Sequence, residues 1–275
     1  MVYQSRFSRP NYGLKILADN SLRSVNEGVY DIEDSEQRSH ECIGIKKSIL
    51  KCSHIPLITE IKLSSPSRGR LNFSLSEADI TRVACDMTSN GATALSILTQ
   101  PNLFAGSIKH LASVRKCVAV PILMKDIVVS EIQVECAKKI GADCVLLIKS
   151  IFDQNLAEGS IEKFSALARS KGLSTLVEVH SENEFKEVLE ASEGYDLIGI
   201  NNRDLNTLEI DLSVTERLLK KYDKDKNVII SESGISSSEE IMFLKKVGAD
   251  AFLVGTSIIE SDNISSKVLE LCRSL

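Results

Sequence analysis

From residue 57 onward the chain switches repeatedly between two hydrophobic periods. Short apolar runs occupy 57–62, 93–98, 121–125, 144–148, 174–179, 197–201, 228–232 and 251–254. Their length and β-branched content predict strands. Between and after them, apolar residues recur at helical spacing over 77–89, 107–116, 132–140, 161–169, 182–190, 212–221, 238–247 and 263–273. Strands alternating with helices predict a parallel sheet. Eight such units in about 220 residues match a closed barrel. The expected fold is therefore α/β: a single-domain (β/α)8 TIM barrel.

Residues 1–55 break that rhythm. A helix is predicted within 12–29, with Leu14, Ile16, Leu17, Leu22 and Val25 as its apolar stripe. The acidic stretch 31–41 reads as loop, and 43–52 as a second short helix. The expected division is an N-terminal helical extension over 1–55 and a catalytic barrel over 56–275. A short repeat, Asn90-Gly91-Ala92, Gly141-Ala142-Asp143 and Gly248-Ala249-Asp250, precedes three of the strands. Glycine there supplies the left-handed turn that ends a helix.

Composition narrows the function classes. The chain is 43% hydrophobic and 26% charged, with a net charge of −5 and a pI near 5.6. No basic surface argues for nucleic acid. No apolar run reaches the length of a membrane span. The seven cysteines show no C-x-x-C spacing and the four histidines no ligand spacing. Reduced thiols and a cytoplasmic location are expected, and zinc is not.

The last positions of the strands carry the chemistry. Glu60 and Lys62 sit two apart, on one face of a strand. Lys125, Glu178, Asn201, Arg203 and Glu232 end other strands or follow them directly. In this fold the active site gathers at those C-terminal ends. A charge there is also, often enough, the first solvated loop residue; its recurrence on five of eight strands favours a site. Two loops of small residues, around Ser233-Gly234 and Gly255-Thr256, follow the seventh and eighth strands, the usual phosphate position. Lys149, after the fourth strand, reads as a solvated loop lysine, with an extra anion contact as the alternative.

Several stretches in order resemble one family. They are Glu60-Ile-Lys62 with Ser65-Pro66-Ser67, Ser96-Ile-Leu-Thr99, Phe104-Ala-Gly106-Ser107, Pro121-Ile-Leu-Met-Lys125-Asp126, Gly141 to Leu147, Leu176-Val-Glu178-Val, Ile198 to Leu205, Ser231 to Ile235 and Leu253-Val-Gly255. Together they resemble indole-3-glycerol phosphate synthase of tryptophan biosynthesis. The resemblance implies a carboxy-lyase that closes the ring of 1-(2-carboxyphenylamino)-1-deoxyribulose 5-phosphate with loss of CO₂ and water, without cofactor or metal. It implies Lys125 as general acid, Glu178 as base, Lys62 as a second acid and Glu60 as its holder. Asn201 and Glu232 would orient the substrate. Ser65 and Arg203 would contact its anionic groups, and Phe104 would also line the substrate site. Ser233, Gly234, Gly255 and Thr256 would bind phosphate. The small phosphosugar is the only partner implied, with a monomer or weak homo-oligomer. A lysine acid benefits from a lowered pKa, which clustered cations would supply.

The resemblance departs in two places. Trp is absent, and the extension offers Tyr12 and Ile16 to cover the substrate; Ile127 stands where an aromatic is usual. Two other readings compete. An isomerase barrel such as phosphoribosylanthranilate isomerase needs a cysteine and an aspartate at strand ends, and Cys144 begins a strand while Cys136 lies on a helix. A non-catalytic phosphate-binding barrel has no need of the full acid–base set.

Overall fold

The computed structural model of the chain describes residues 13–33, 40–62, 64–65, 69–70, 76–191, 195–204 and 207–274. Eight strands, β1 Leu57–Ile61, β2 Ala94–Leu98, β3 Ile122–Lys125, β4 Cys144–Ile148, β5 Ser174–Val179, β6 Leu197–Asn201, β7 Val228–Glu232 and β8 Ala251–Val254, lie within one residue of the predicted runs. Each pairs in parallel with its neighbours in sequence, and β8 returns to β1 to close the barrel. Nearly every strand residue is buried, because helices cover the outer face and side chains fill the interior.

The helices are α1 Leu14–Asn26, α2 Ile45–Lys51, α3 Glu77–Ser89, α4 Pro101–Phe104, α5 Ile108–Val114, α6 Glu131–Ile140, α7 Lys149–Asp153, α8 Ile161–Ser170, α9 Glu182–Glu190, α10 Ser213–Lys221, α11 Ser238–Lys246, α12 Thr256–Ile259 and α13 Ile264–Cys272. The one-turn helices α4, α7 and α12 were not predicted; four or five residues are too few to show a period. Their place is informative, since each begins just after a strand. A two-stranded hairpin, Ser64–Ser65 with Gly69–Arg70, follows β1. Several helix starts carry serine at the cap. Ser76 with Asp79 and Ser237 with Glu240 form capping boxes, which satisfy two otherwise unpaired amides each. No described helix is long and apolar enough to cross a membrane.

The Gly-Ala-Asp repeat has a second purpose beyond the turn. Asp143 precedes β4, and its Oδ2 accepts from the Ile122 amide of β3 at 2.8 Å. Asp250 precedes β8 and accepts from Ile229 of β7, also at 2.8 Å. Asp196 does the same for Thr175 of β5 at 3.0 Å, and the Thr93 hydroxyl for Leu57 of β1 at 3.3 Å. A polar side chain entering one strand thus caps an amide at the start of the strand before it. At the bottom of a parallel barrel that amide would otherwise lack a partner.

The N-terminal segment runs the height of the barrel. At the top, α1 packs beside α4 and α7. Ser21 Oγ donates to the Ile127 carbonyl at 2.5 Å, Tyr30 Oη to Asp126 Oδ2 at 2.8 Å, and Asn102 Nδ2 to Ser24 Oγ at 2.9 Å. At the bottom, Asp143 Oδ1 accepts from the Ile43 amide at 2.6 Å and lies 2.7 Å from His40 Nε2. Burying Leu17, Tyr30, Ile45 and Ile49 completes the attachment.

Candidate active site

A cavity of about 550 Å³ opens at the C-terminal ends of the strands. All but one of the sequence-predicted site residues line it: Glu60 and Lys62 from β1 and its exit, Phe104 from α4, Lys125, Glu178, Asn201, Arg203, Glu232, Ser233, Gly234, Gly255 and Thr256. The exception is Ser65, whose side chain lies outside the described residues. A more open depression of about 660 Å³ at the other end, around Lys47, Lys51 and His54, holds none of the charged strand ends.

Lys125 is the centre of the charge cluster. Its Nζ donates to Glu178 Oε2 at 2.7 Å and to Glu232 Oε2 at 2.6 Å. Burial pulls the ammonium pKa down, but the carboxylates of Glu178, Glu232 and Glu60 outweigh it and raise the group above its usual range. The lowered amine expected from clustered cations is therefore not what the barrel builds; anions surround Lys125 instead. Lys62 Nζ meets Glu60 Oε1 at 3.0 Å, so the two charges two apart do pair at the mouth.

The two glutamates that hold Lys125 differ. Burial favours the neutral acid for Glu178, yet Lys125 and His180 prevail and hold it well below the usual carboxylate range. Its Oε1 also accepts from Asn201 Nδ2 at 3.0 Å. For Glu232, burial and the neighbouring charge of Glu178 win against Lys125, and the carboxyl is pushed up to about 7. Glu232 Oε1 has no hydrogen-bond partner among the described residues. It fills the space above Gly199, where a Cβ would lie 2.1 Å from it. Paired groups pushed apart in pKa are a mark of acid–base sites.

Asn202 and Asp126, in the next layer, were given no role from the sequence. Asn202 Nδ2 donates to Ser231 Oγ and to the Glu232 carbonyl, both at 3.0 Å, and Asn202 Oδ1 accepts from Thr215 Oγ1 at 2.8 Å. These bonds lock the exits of β6 and β7 together. Asp126 accepts from Tyr30, from the Thr99 hydroxyl and from the Ile127 amide. Burial pushes its carboxyl up to about 6. After β7, Ser233 (φ 68°) and Gly234 (φ 86°) both turn left-handed. For Ser233 that is strain, and strain of this kind gathers at functional loops. Ser257 Oγ donates to the Ile235 carbonyl at 3.0 Å, tying the two small-residue loops side by side.

Three expectations change. Ile16 is 43% exposed and does not line the cavity; its neighbour Leu17 does, and Tyr12 lies outside the described residues. Lys149 is not a solvated loop lysine. It is buried at the start of α7, paired with Asp153 and, at 2.7 Å, with Glu187. His40, Cys42 and Asp143 gather although their spacing suggested nothing. Both Asp143 oxygens already accept hydrogen bonds, and Arg115 and Lys138 bring two positive charges to the cluster. That donor set suits a docking joint better than a cation. Cys136 and Cys144 are fully buried away from the cavity, which does not suit the isomerase alternative.

A family model described as "Indole-3-glycerol phosphate synthase" matches residues 16–271. An indole-3-glycerol phosphate synthase of Methanocaldococcus jannaschii is 44% identical over 252 residues, covering 91% of this chain and 89% of that protein. One from Ruminiclostridium cellulolyticum is 35% identical, covering 94% and 95%. Among solved structures, 3-hexulose-6-phosphate synthase of Salmonella typhimurium superposes with a TM-score of 0.64 at 13% identity, over 80% of this chain and 98% of that one. That likeness is one of fold.

Proposed function

The chain belongs to the indole-3-glycerol phosphate synthase family, and we propose that the charged residues at its barrel mouth divide that family's ring closure among them as follows. The observation that carries the reading is Lys125 Nζ, held at 2.7 and 2.6 Å by two buried carboxylates in the cavity at the strand ends.

The aromatic carbon bearing the carboxylate attacks the ketone carbon. The carbonyl π pair moves to oxygen, and Lys125 donates a proton there. The raised pKa of Lys125 does not forbid this, because a developing alkoxide is more basic than an amine. The bond to the carboxyl carbon then breaks, CO₂ leaves, and its electron pair restores the aromatic ring. Dehydration follows: Lys62, held by Glu60, gives a proton to the departing hydroxyl, and Glu178 removes a proton from carbon. Geometry links the two stages. Lys125 is the foremost charge lowering Glu178, so its discharge makes Glu178 a stronger base at the step where a base is required.

Asn201 and Glu232 orient the substrate. Arg203 and Ser65 meet its anionic groups, and Ser233, Gly234, Gly255 and Thr256 hold the phosphate. The apolar wall of Leu17, Phe104, Ile127 and Ile148 receives the aromatic ring. Residues 1–55 act as a cover on the barrel of 56–275, in a cytoplasmic monomer or weak homo-oligomer. Purified protein given the carboxyphenylamino-deoxyribulose phosphate is expected to produce indole fluorescence without added metal. Lys125→Met is expected to cost about 10²–10⁴ in kcat with the fold intact. No signal above a blank from folded wild type overturns the reading, and full activity in the variant moves the acid to Lys62.

A further inference from the structure

His180 stands two residues beyond Glu178 at the exit of β5, a spacing that puts both side chains on one face. Its side chain is 11% exposed, and Nε2 lies 3.0 Å from Glu178 Oε1. Neither ring nitrogen makes a hydrogen bond among the described residues, so the contact is one of charge rather than of aligned donor and acceptor. The main chain here is fixed: the His180 amide donates to Glu184 Oε2 at 2.7 Å, and Ser150 Oγ donates to Glu184 Oε1 at 2.6 Å. Burying an imidazole without aligned hydrogen-bond partners is costly, and the Glu178 carboxylate 3.0 Å from Nε2 is what offsets that cost.

The charged groups facing the ring are Glu178 on its own strand, Glu184 on α9 and Glu232 on β7, with Lys125 of β3 on the far side of Glu178. Burial favours the neutral ring. The three carboxylates outweigh it, and His180 titrates above its ordinary range.

We propose that His180 is a positioning residue that keeps Glu178 ionised and aimed while Lys125 is discharged. The proposal rests on the reading of Lys125 as acid and Glu178 as base. In the resting site Glu178 has a cation on each oxygen: Lys125 on Oε2, His180 on Oε1. When Lys125 passes its proton to the substrate oxygen, Oε2 loses its charged partner. The imidazolium on Oε1 remains, so a carboxylate is in place to take the carbon-bound proton during dehydration. Asn201, on the same oxygen, holds the carboxyl plane but carries no charge.

The test compares wild type with His180→Gln, and with His180→Asn should the first fail to fold. Turnover is followed by indole fluorescence from about pH 5.5 to about pH 9, a window that brackets histidine titration. At neutral pH the variant is expected to lose about ten- to a hundredfold in kcat with little change in KM. It is also expected to lose the alkaline decline that wild type shows as His180 gives up its proton. In parallel, NMR titration of the ligand-free protein is expected to place the His180 ring above about 6.5, and Glu178→Gln to return it there. A variant that falls by one constant factor at every pH, or a ring that titrates normally beside an intact Glu178, overturns the proposal. Wild type that makes no indole overturns the ring-closure reading instead, so the two failures are told apart.

Discussion

Gly199→Ala tests whether Glu232 must occupy its present position. Gly199 sits in β6 with ladder partners on both sides, Glu178 on β5 and Ile230 on β7. Its φ is not left-handed, so alanine meets no backbone penalty there. The whole effect is therefore steric. The added Cβ would lie 2.1 Å from Glu232 Oε1 and 3.3 Å from Leu176 Cδ1. Ordinary contact begins near 3.4 Å, so the carboxyl must retreat by about 1.3 Å. A strand paired on both edges cannot make that room; the side chain has to. Such a retreat breaks the 2.6 Å bond from Lys125. Misplacement of about 1 Å is worth about a hundredfold in rate. Kinetics by indole fluorescence are thus expected to show kcat reduced about a hundredfold with KM changed far less. Overpacking is expected to remove about 1–3 kcal/mol of stability by denaturant melts. Shortening the acid in the same background, with Glu232→Asp, is expected to recover part of the loss, a coupling that a double-mutant cycle isolates. Gly199→Ala with wild-type kcat, or a double variant no better than the sum of the singles, would refute the argument that Gly199 makes space for Glu232.

Two further predictions concern stability. Glu232 is pushed from 4.5 up to about 7, so the folded state holds its proton more tightly than the unfolded chain does. Its contribution is fully present below the unfolded pKa and lost as pH rises through about 7. Relative to Glu232→Gln, wild type is expected to lose on the order of 3 kcal/mol of unfolding free energy between pH 5 and pH 8; parallel curves for the two proteins would contradict it. Tyr30→Phe removes the donor at 2.8 Å from buried Asp126 while keeping the ring. It is expected to cost about 1–2 kcal/mol and to speed proteolysis of 14–30, and an unchanged melt and digest would show that Asp126 does not anchor the extension.

The barrel strands were legible because parallel strands buried on both faces read as unbroken apolar runs, and each found here ends within one residue of its run. The charged ends were legible because a Lys or Glu closing such a run conflicts with the core, as at Lys125, Glu178 and Glu232. What stayed hidden depends on distance in three dimensions. Gly199 looks like any strand glycine until the Glu232 carboxyl is seen above it. Leu17 and Ile16 share one apolar stripe, and only docking decides which faces the cavity. Lys149 meets Glu187 across 38 residues. The pKa of Lys125 depends on carboxylates from three other strands. His180 is the exception that sequence offers: it follows Glu178 at the same two-residue spacing as Lys62 follows Glu60.

The side-chain caps at the bottom of the barrel bear on how the chain is made. Each of the caps from Asp143, Asp196 and Asp250 reaches an amide only 21 residues back. A ribosome releasing this chain therefore delivers each new stave with its own fastener to the stave just before it, and nascent chain can zip from one side as it emerges. The seam is different. Leu57 of β1 must wait for Phe252 of β8, and the backbone bond from Ile55 to Cys272 forms later still. Until β8 leaves the exit tunnel, β1 presents an unpaired edge, and that edge is where a growing chain most needs protection from its neighbours.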